Sequence, residues 1–474
     1  MKRRYGKSVW MIVLLTGLTG MAMAYARNHP GTAANNPHTV SDNHGKVTAS
    51  VTLTQSKILQ GSDGKFTVSL DTAAEKEIMP DQVRKRHVDM VIVLDRSGSM
   101  QGRKLEDARR AVLDLLTRLS ANDRFALISY SDGVRKHSDL IPVTASSHRR
   151  IEQMVNRIRA GGSTHLSAGL QTGIDTLTAA ESVGNTGKVI LISDGLANRG
   201  VTDPERIARM ASVAVSREFA VSAVGVGNDF NEYLMTAIAD RGAGTYYYLD
   251  NPAAFARVFE TELGSSRACV ASSIEVRIPL KNSIKLVDAA GYPIERRDGC
   301  AVFYTGSLQT GSRRKLFLTF RMPTDRPRQV SLEPISIRYV KDGQPCELLF
   351  DERPAIACVK DPNQVASSID KSRWEEKVLT DDYNRLKQEV ARDIKAGRPA
   401  SAMTRIDSYY RRQQAVNAHV GSEKVADNLE TDVEQLKSTV AETFRGKAED
   451  VIEKRKKQAK SLQYEGYQGR RTIK

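Results

Sequence analysis

The chain reads as an α/β protein: a doubly wound, mostly parallel sheet inserted in or flanked by β-sandwich segments, with a C-terminal helical region. Three observations predict this. Between 87 and 264, continuous apolar stretches alternate with amphipathic ones, the pattern of parallel strands buried on both faces and covered by helices. Before and after, 47–86 and 265–362 alternate apolar and polar residues with period two, as half-buried strands do. From 363 onward, helix formers at helical spacing take over.

In chain order, Lys2, Arg3, Arg4 and Lys7 form a positive stretch ahead of an apolar run over 9–24. Gly17 and Gly20 break the run, and it ends in Ala22-Met23-Ala24 before Tyr25. That is the pattern of a secretory signal peptide, 1–24, and implies export to the periplasm or the extracellular space. The rival is an uncleaved anchor, but a span needs about 20 apolar residues and this run is short and diluted. Residues 25–46 are rich in Asn, His, Pro, Gly and Thr and read as a flexible spacer.

Strands are expected at 48–53 and 65–70, with Gly61-Ser62-Asp63-Gly64 as a turn between them. Within 87–264 the strands fall at 88–94, 125–130, 188–193, 220–226 and 245–249. Helices fall at 104–119, 149–158, 166–177, 204–218, 230–239 and 252–263. The first carries Leu105, Ala108, Val112, Leu115, Leu116 and Leu119 on one face. The fourth opens with Asp203 as N-cap and Pro204 in the first turn. In 265–362, strands are expected at 274–278, 315–320 and 335–339. The economical arrangement is one sandwich interrupted by the α/β unit, since domain termini often lie close together; two unrelated β pieces are the alternative. Helices at 374–396, 400–418 and 424–444 make a hairpin or small bundle in 363–453, and 454–474 reads as a disordered basic tail.

At 474 residues the chain is long enough for two to four domains of the usual size. A net charge of +15 favours acidic partners, namely anionic lipid, an anionic envelope surface or polyanionic proteins, unless it is general basicity that sets solubility alone. No motif points to a specific nucleic acid. The four cysteines, Cys269, Cys300, Cys346 and Cys358, sit in one region. In an exported protein an even count reads as two disulfides, with Cys269–Cys300 and Cys346–Cys358 the expected pairing among three. Zinc lacks any CxxC spacing in support.

The chemistry concentrates in three segments. Asp95-Arg96-Ser97-Gly98-Ser99 follows the first apolar strand, Gly161-Gly162-Ser163-Thr164 precedes a helix, and Ser193-Asp194-Gly195 follows another apolar strand. Ligands of open α/β sheets bind at the carboxyl ends of strands, so these segments are placed to meet. Asp95, Ser97, Ser99, Thr164 and Asp194 offer only oxygen, which suits a hard cation, Mg²⁺ with Mn²⁺ or Ca²⁺ as alternatives, over zinc or copper. Taken alone, Asp95 to Ser99 is also what a capped strand-to-helix turn looks like, Asp194-Gly195 is a common turn, and His165 reads as a loop histidine.

Asp95-x-Ser97-x-Ser99 with Thr164 and Asp194 resembles the metal-ion-dependent adhesion site of von Willebrand factor A domains, over about 87–264. The stretch Gly162-Ser-Thr-His-Leu-Ser-Ala-Gly-Leu170 also resembles bacterial members and the inter-alpha-trypsin inhibitor heavy chains. The resemblance implies that Ser97 and Ser99 ligate the metal directly, Thr164 directly or through water, and Asp95 and Asp194 largely through water. It also implies adhesion to a partner protein that offers a carboxylate to the metal.

Enzyme readings are weaker. A hydrolase built on Ser97 or Ser99 with His165 and Asp194 lacks the GxSxG elbow. A phosphotransferase starting from Asp95 lacks the second aspartate of a DxD pair. Gly225-Val226-Gly227 is a lone GxG, and no GxxxxGK[ST] occurs. The sequence therefore predicts a non-enzymatic binding module. The alternative is an envelope or assembly protein in which the metal is a brace and the basic C-terminal helices hold the partner.

Overall fold

The computed structural model describes residues 38–41, 47–76, 86–180, 184–251, 254–281, 283–350 and 353–471. The expected signal peptide, 1–24, lies outside them. Among the described residues no helix is long and apolar enough to cross a membrane.

The strand Val88–Asp95 is buried along its whole length, which only helices on both faces of a sheet can achieve. It pairs in parallel with Arg124–Tyr130 on one side and Thr186–Ser193 on the other. Phe219–Val226 and Ala243–Leu249 extend the parallel set beyond Thr186–Ser193. The short strands Val134–Lys136 and Ile141–Pro142 pair antiparallel to Arg124–Tyr130 and finish the other edge. Met90, Ile92 and Leu94 face a core shared with the helices Arg103–Arg118, Ala145–Arg157 and Phe255–Arg267. Val91 and Val93 face a second core with Leu166–Thr178, Pro204–Ala211 and Glu232–Arg241. The helix expected over 204–218 breaks at Ser212, whose hydroxyl bonds the Arg209 carbonyl at 2.7 Å and competes with the helical ladder.

The flanking strands form one sandwich. Lys65–Ala74, from before the α/β unit, lies between Val47–Leu53 and Arg313–Arg321, the latter from after it. Its register runs from Arg313↔Ala73 to Arg321↔Lys65. The facing sheet has the order Glu295–Arg297, Cys300–Gln309, Cys269–Pro279, Ser336–Lys341, Gln344–Leu349. Val51, Leu70, Leu318 and Phe320 of the first sheet close one core with Val276, Phe303 and Ile337 of the second. The α/β unit is therefore inserted into a sandwich rather than strung between two unrelated β pieces.

Three expectations need correction. His38–Ser41, placed in the flexible spacer, is a strand antiparallel to Val47–Leu53. The four cysteines are free thiols. Cys269 sits opposite Gln309 and Cys300 opposite Pro279, at the two ends of one ladder; that is roughly 33 Å along the strand, far beyond disulfide reach. Cys346 and Cys358 lie on strands of different sheets.

The third correction concerns the basic tail, which is the ordered helix Ala448–Arg470. Its cations are spread around the helix rather than forming one repelling block. Ala459, Leu462 and Tyr467 are buried, the first two among the C-terminal helices and Tyr467 against the α/β unit. Lys456 pairs with Asp229 at 2.9 Å, Lys460 with Glu232 at 3.1 Å, and Arg470 with Asp381 at 2.7 Å. Arg471 forks onto Asp240, and the Tyr246 N–H donates to the Tyr467 hydroxyl at 3.1 Å. The helix thus fastens the C-terminal bundle, built on Tyr383–Lys395, Pro399–Val420 and Glu434–Thr443, to the α/β unit.

Candidate metal centre

The direction of the chain crossovers reverses between Val88–Asp95 and Thr186–Ser193, which are neighbours in the sheet. The crevice at the carboxyl ends of such a pair is where open α/β sheets bind ligands. Asp95 ends the first strand, and Asp194 follows the second directly.

Asp95 is fully buried. Its Oδ1 accepts from the Ser97 N–H at 2.8 Å, which turns the chain sharply at the strand end, and its Oδ2 accepts from the Ser193 hydroxyl at 2.8 Å. A short 3₁₀ turn, Gly98–Met100, follows, pinned by the buried Met100. The turn places the Ser97 and Ser99 hydroxyls 3.1 Å apart, and Ser99 Oγ donates to Asp194 Oδ1 at 2.7 Å.

Backbone bonds bring in the third segment. The Gly98 N–H donates to the Gly162 carbonyl at 3.0 Å, and the Gly161 N–H to the Arg96 carbonyl at 2.8 Å. Gly162 has φ +82°, and a Cβ there would lie 2.2 Å from Asp132 Oδ2. Asp132 in turn accepts from the Ser163 N–H at 3.0 Å and holds the loop down. The Thr164 N–H donates to Asn198 Oδ1 at 2.8 Å, which fixes Thr164 against the Asp194 loop. A Cβ placed on Gly195 would sit 3.4 Å from Ser99 Oγ and 3.5 Å from Thr164 Oγ1, so both hydroxyls converge beside Asp194. All five residues expected from the sequence thus meet at one point.

Burial pushes the Asp95 carboxyl above its ordinary range, and the nearby Asp194 adds to this, against hydrogen bonds from Ser97 and Ser193 that hold it back. Asp194 is also fully buried. Its Oδ2 accepts from the Lys104 ammonium at 2.6 Å. Sequence reasoning passed over Lys104, which sits in the first turn of the helix after the Asp95 loop, facing back toward it. It also passed over Ser193, although the residue is adjacent to Asp194, and over Asp132 and Asn198, whose roles depend on contacts across 31 and 34 residues. The ring of His165 packs over Gly200 rather than against either serine, since a Cβ at Gly200 would lie 2.0 Å from its Nε2.

Among the described residues no group of three or more His, Cys, Asp or Glu could hold a metal. The present cluster is of another kind, two buried carboxylates with three hydroxyls. That donor set fits a hard divalent cation, because buried negative charge needs compensation and hydroxyl oxygen is a hard ligand.

Residues 89–261 match the family model of the von Willebrand factor type A domain. An uncharacterised protein of Synechocystis sp. is 24% identical over 343 residues, covering 69% of this chain and 79% of that one. The protein YfbK of Escherichia coli is 30% identical over 193 residues, 40% of this chain and 33% of its own. Inter-alpha-trypsin inhibitor heavy chain H3 of Mesocricetus auratus is 32% identical over 173 residues, 35% of this chain and 20% of its own. The chain thus spans only a third and a fifth of the length of the latter two. Among solved structures, a von Willebrand factor type A protein from Catenulispora acidiphila superposes with a TM-score of 0.59 at 17% identity, covering 84% of this chain and 90% of its own. The ArnB paralog VWA2 from Sulfolobus acidocaldarius gives a TM-score of 0.55 at 14% identity, covering 90% and 98%. These two share the fold over most of the chain. The inserted α/β unit of this chain is a von Willebrand factor type A domain.

Proposed function

We propose that the protein is an exported, non-enzymatic binding module that grips an acidic residue of a partner protein through a divalent cation held by Asp95, Ser97, Ser99, Thr164 and Asp194. Mg²⁺ is the leading candidate, with Mn²⁺ and Ca²⁺ as alternatives. The observation that carries the reading is the pair of fully buried carboxylates, Asp95 and Asp194: Lys104 pairs with Asp194, and Asp95 has no ion pair among the described residues. Such a pair is short of positive charge. A bound cation would supply it and act as a Lewis acid with room for a partner's carboxylate.

The surroundings support this reading. Ser99 is exposed, so the crevice opens outward, and Leu196, two residues after Asp194, stands 57% exposed. An exposed apolar knob of this kind suits a protein surface. The hydroxyls of Ser97 and Ser99 bond each other and Asp194 rather than a histidine, which supports a holding role over a nucleophilic one. Export rests on the leader pattern at 1–24.

The alternative in which the basic C-terminal helices hold the partner loses much of its charge. Lys456, Lys460, Arg470 and Arg471 are all paired inside the molecule. The test is capture of partners from envelope extract by the wild-type chain and by Asp95→Asn, each in Mg²⁺ and in EDTA. A partner retained only by the wild type in Mg²⁺ is expected. A partner held equally in EDTA, or equally by Asp95→Asn, overturns the reading.

A further inference from the structure

A cleft of about 1110 Å³ lies between the outer face of the sandwich sheet and the helices Tyr383–Lys395 and Pro399–Val420. It is remote from the metal centre in sequence and sits in a different part of the fold. Its size is a little above the roughly 300–1,000 Å³ that small-molecule sites occupy. The wall carries eight Lys and Arg side chains against four Asp and Glu. Those four carboxylates are already bridged: Asp63 by Lys65, Asp288 by Arg470, Asp382 by Lys377, and Glu389 by Arg405. The surplus falls on Arg321, Arg392 and Arg412, all exposed, none with an ion pair among the described residues; Arg392 reaches only the Gln388 carbonyl at 3.5 Å.

Two hydroxyls on the same wall are stranded. Tyr409 and Thr319 are buried, 2% and 5% exposed, and neither hydroxyl has a hydrogen-bond partner among the described residues. A buried hydroxyl left unbonded is costly, so such groups are normally satisfied by something. The three guanidiniums line one cavity, and their planar forks match carboxylate and phosphate oxygens. The stranded hydroxyls add neutral donors to the same wall.

We propose that this cleft is a binding site for a small, soluble, multivalent anion bearing carboxylate or phosphate groups. Arg321 on the sandwich and Arg392 and Arg412 on the helices clamp it from two sides, and Tyr409 and Thr319 donate to it. Because the clamp spans two parts of the fold, occupancy ties the helical bundle to the sandwich.

The test is calorimetric titration of the full chain with citrate and with tripolyphosphate, in buffer freed of divalent cations over a chelating resin, so that the metal centre takes no part and no soluble polycarboxylate chelator competes with the titrant. Saturable one-to-one binding of at least one of them is expected, weakened at least tenfold in Arg321→Ser/Arg412→Ser and severalfold in Tyr409→Phe. Trp374 lines the cleft, so binding should change tryptophan emission, and Trp374→Phe should abolish that change. The control is Arg149→Ser/Arg150→Ser, which removes the same charge from exposed positions on the helix Ala145–Arg157. No saturable heat with either anion, or equal weakening by the control pair, overturns the proposal.

Discussion

Lys104 makes opposite demands on stability and on metal affinity, and Lys104→Met separates them. The substitution keeps an apolar stem of similar length and removes the ammonium that contacts Asp194 Oδ2 at 2.6 Å. Without a divalent cation, Asp194 then keeps the Ser99 hydroxyl, and Asp95 the Ser193 hydroxyl and the Ser97 N–H, with no cation beside either. Breaking a fully buried ion pair costs about 3–5 kcal/mol, and an exposed pair is worth about 0–1 kcal/mol. Here the carboxylate is fully buried and the lysine side chain is 29% exposed. A partly screened pair of that kind gives about 2 kcal/mol of destabilisation in EDTA. In Mg²⁺ the sign reverses, because Lys104 competes with the metal for the same carboxylate and repels it. Its removal should tighten Mg²⁺ binding about tenfold, roughly 1.4 kcal/mol. At a Mg²⁺ concentration about a hundred times the wild-type Kd, wild type gains about 2.7 kcal/mol and the tighter-binding variant about 4.1 kcal/mol, so the gap between them should narrow from about 2 kcal/mol to roughly 0.6 kcal/mol. Urea unfolding in EDTA and in excess Mg²⁺, with a calorimetric Mg²⁺ titration, reads both effects. A variant as stable as wild type in EDTA, or one that binds Mg²⁺ more weakly, refutes the reasoning.

Tyr467→Ala removes a side chain buried in the core of the α/β unit and leaves the Tyr246 N–H without its acceptor. A loss of about 3–5 kcal/mol is expected by denaturant unfolding, and a loss under 1 kcal/mol shows that the last helix is not docked as described. Gly162→Ala places a Cβ 2.2 Å from Asp132 Oδ2 at φ +82°. About 1–2 kcal/mol of strain and a severalfold weaker Mg²⁺ affinity should follow, since Thr164 is carried on the same loop; unchanged affinity dissociates the loop from the metal centre. Glu232 is buried, which alone would raise its carboxyl, but Lys460 and Lys395 hold it below the ordinary value of 4.5. Burial also pushes the Lys460 ammonium down, yet Glu232 faces two ammoniums, so the carboxylate keeps its charge. A depressed carboxyl stabilises the fold above 4.5 and loses that contribution as pH falls through its folded value. The stability gap between wild type and Glu232→Gln should therefore hold from pH 7 to about 5 and shrink below 4.5; a pH-independent gap in thermal melts argues against it.

The parallel sheet and its helices were legible because burial on both faces leaves an unbroken apolar run such as Val88–Asp95, which few other structures explain. The convergence of Asp95, Ser97, Ser99, Thr164 and Asp194 was legible because each follows or precedes an element whose end is marked by Asp, Gly or Ser. Lys104, Asp132 and Asn198 were not, because their parts are set by contacts between loops and carry no local pattern. The last helix was misread for a different reason. The charge-rich stretch 454–460 looks solvated in one dimension, whereas in three its cations meet Asp229 and Glu232 from distant parts of the chain. The disulfide expectation failed because nearness in sequence says nothing about which ends of a ladder two cysteines occupy.

The central claim, that Asp95, Ser97, Ser99, Thr164 and Asp194 form a divalent-cation site, is tested most directly by calorimetric titration of Mg²⁺ into the wild-type chain and into Thr164→Ala, with thermal melts of both. The account predicts saturable one-to-one binding by the wild type and at least tenfold weaker binding by the variant, with little change in melting without metal. No binding by the wild type, or equal affinity in Thr164→Ala, would contradict it.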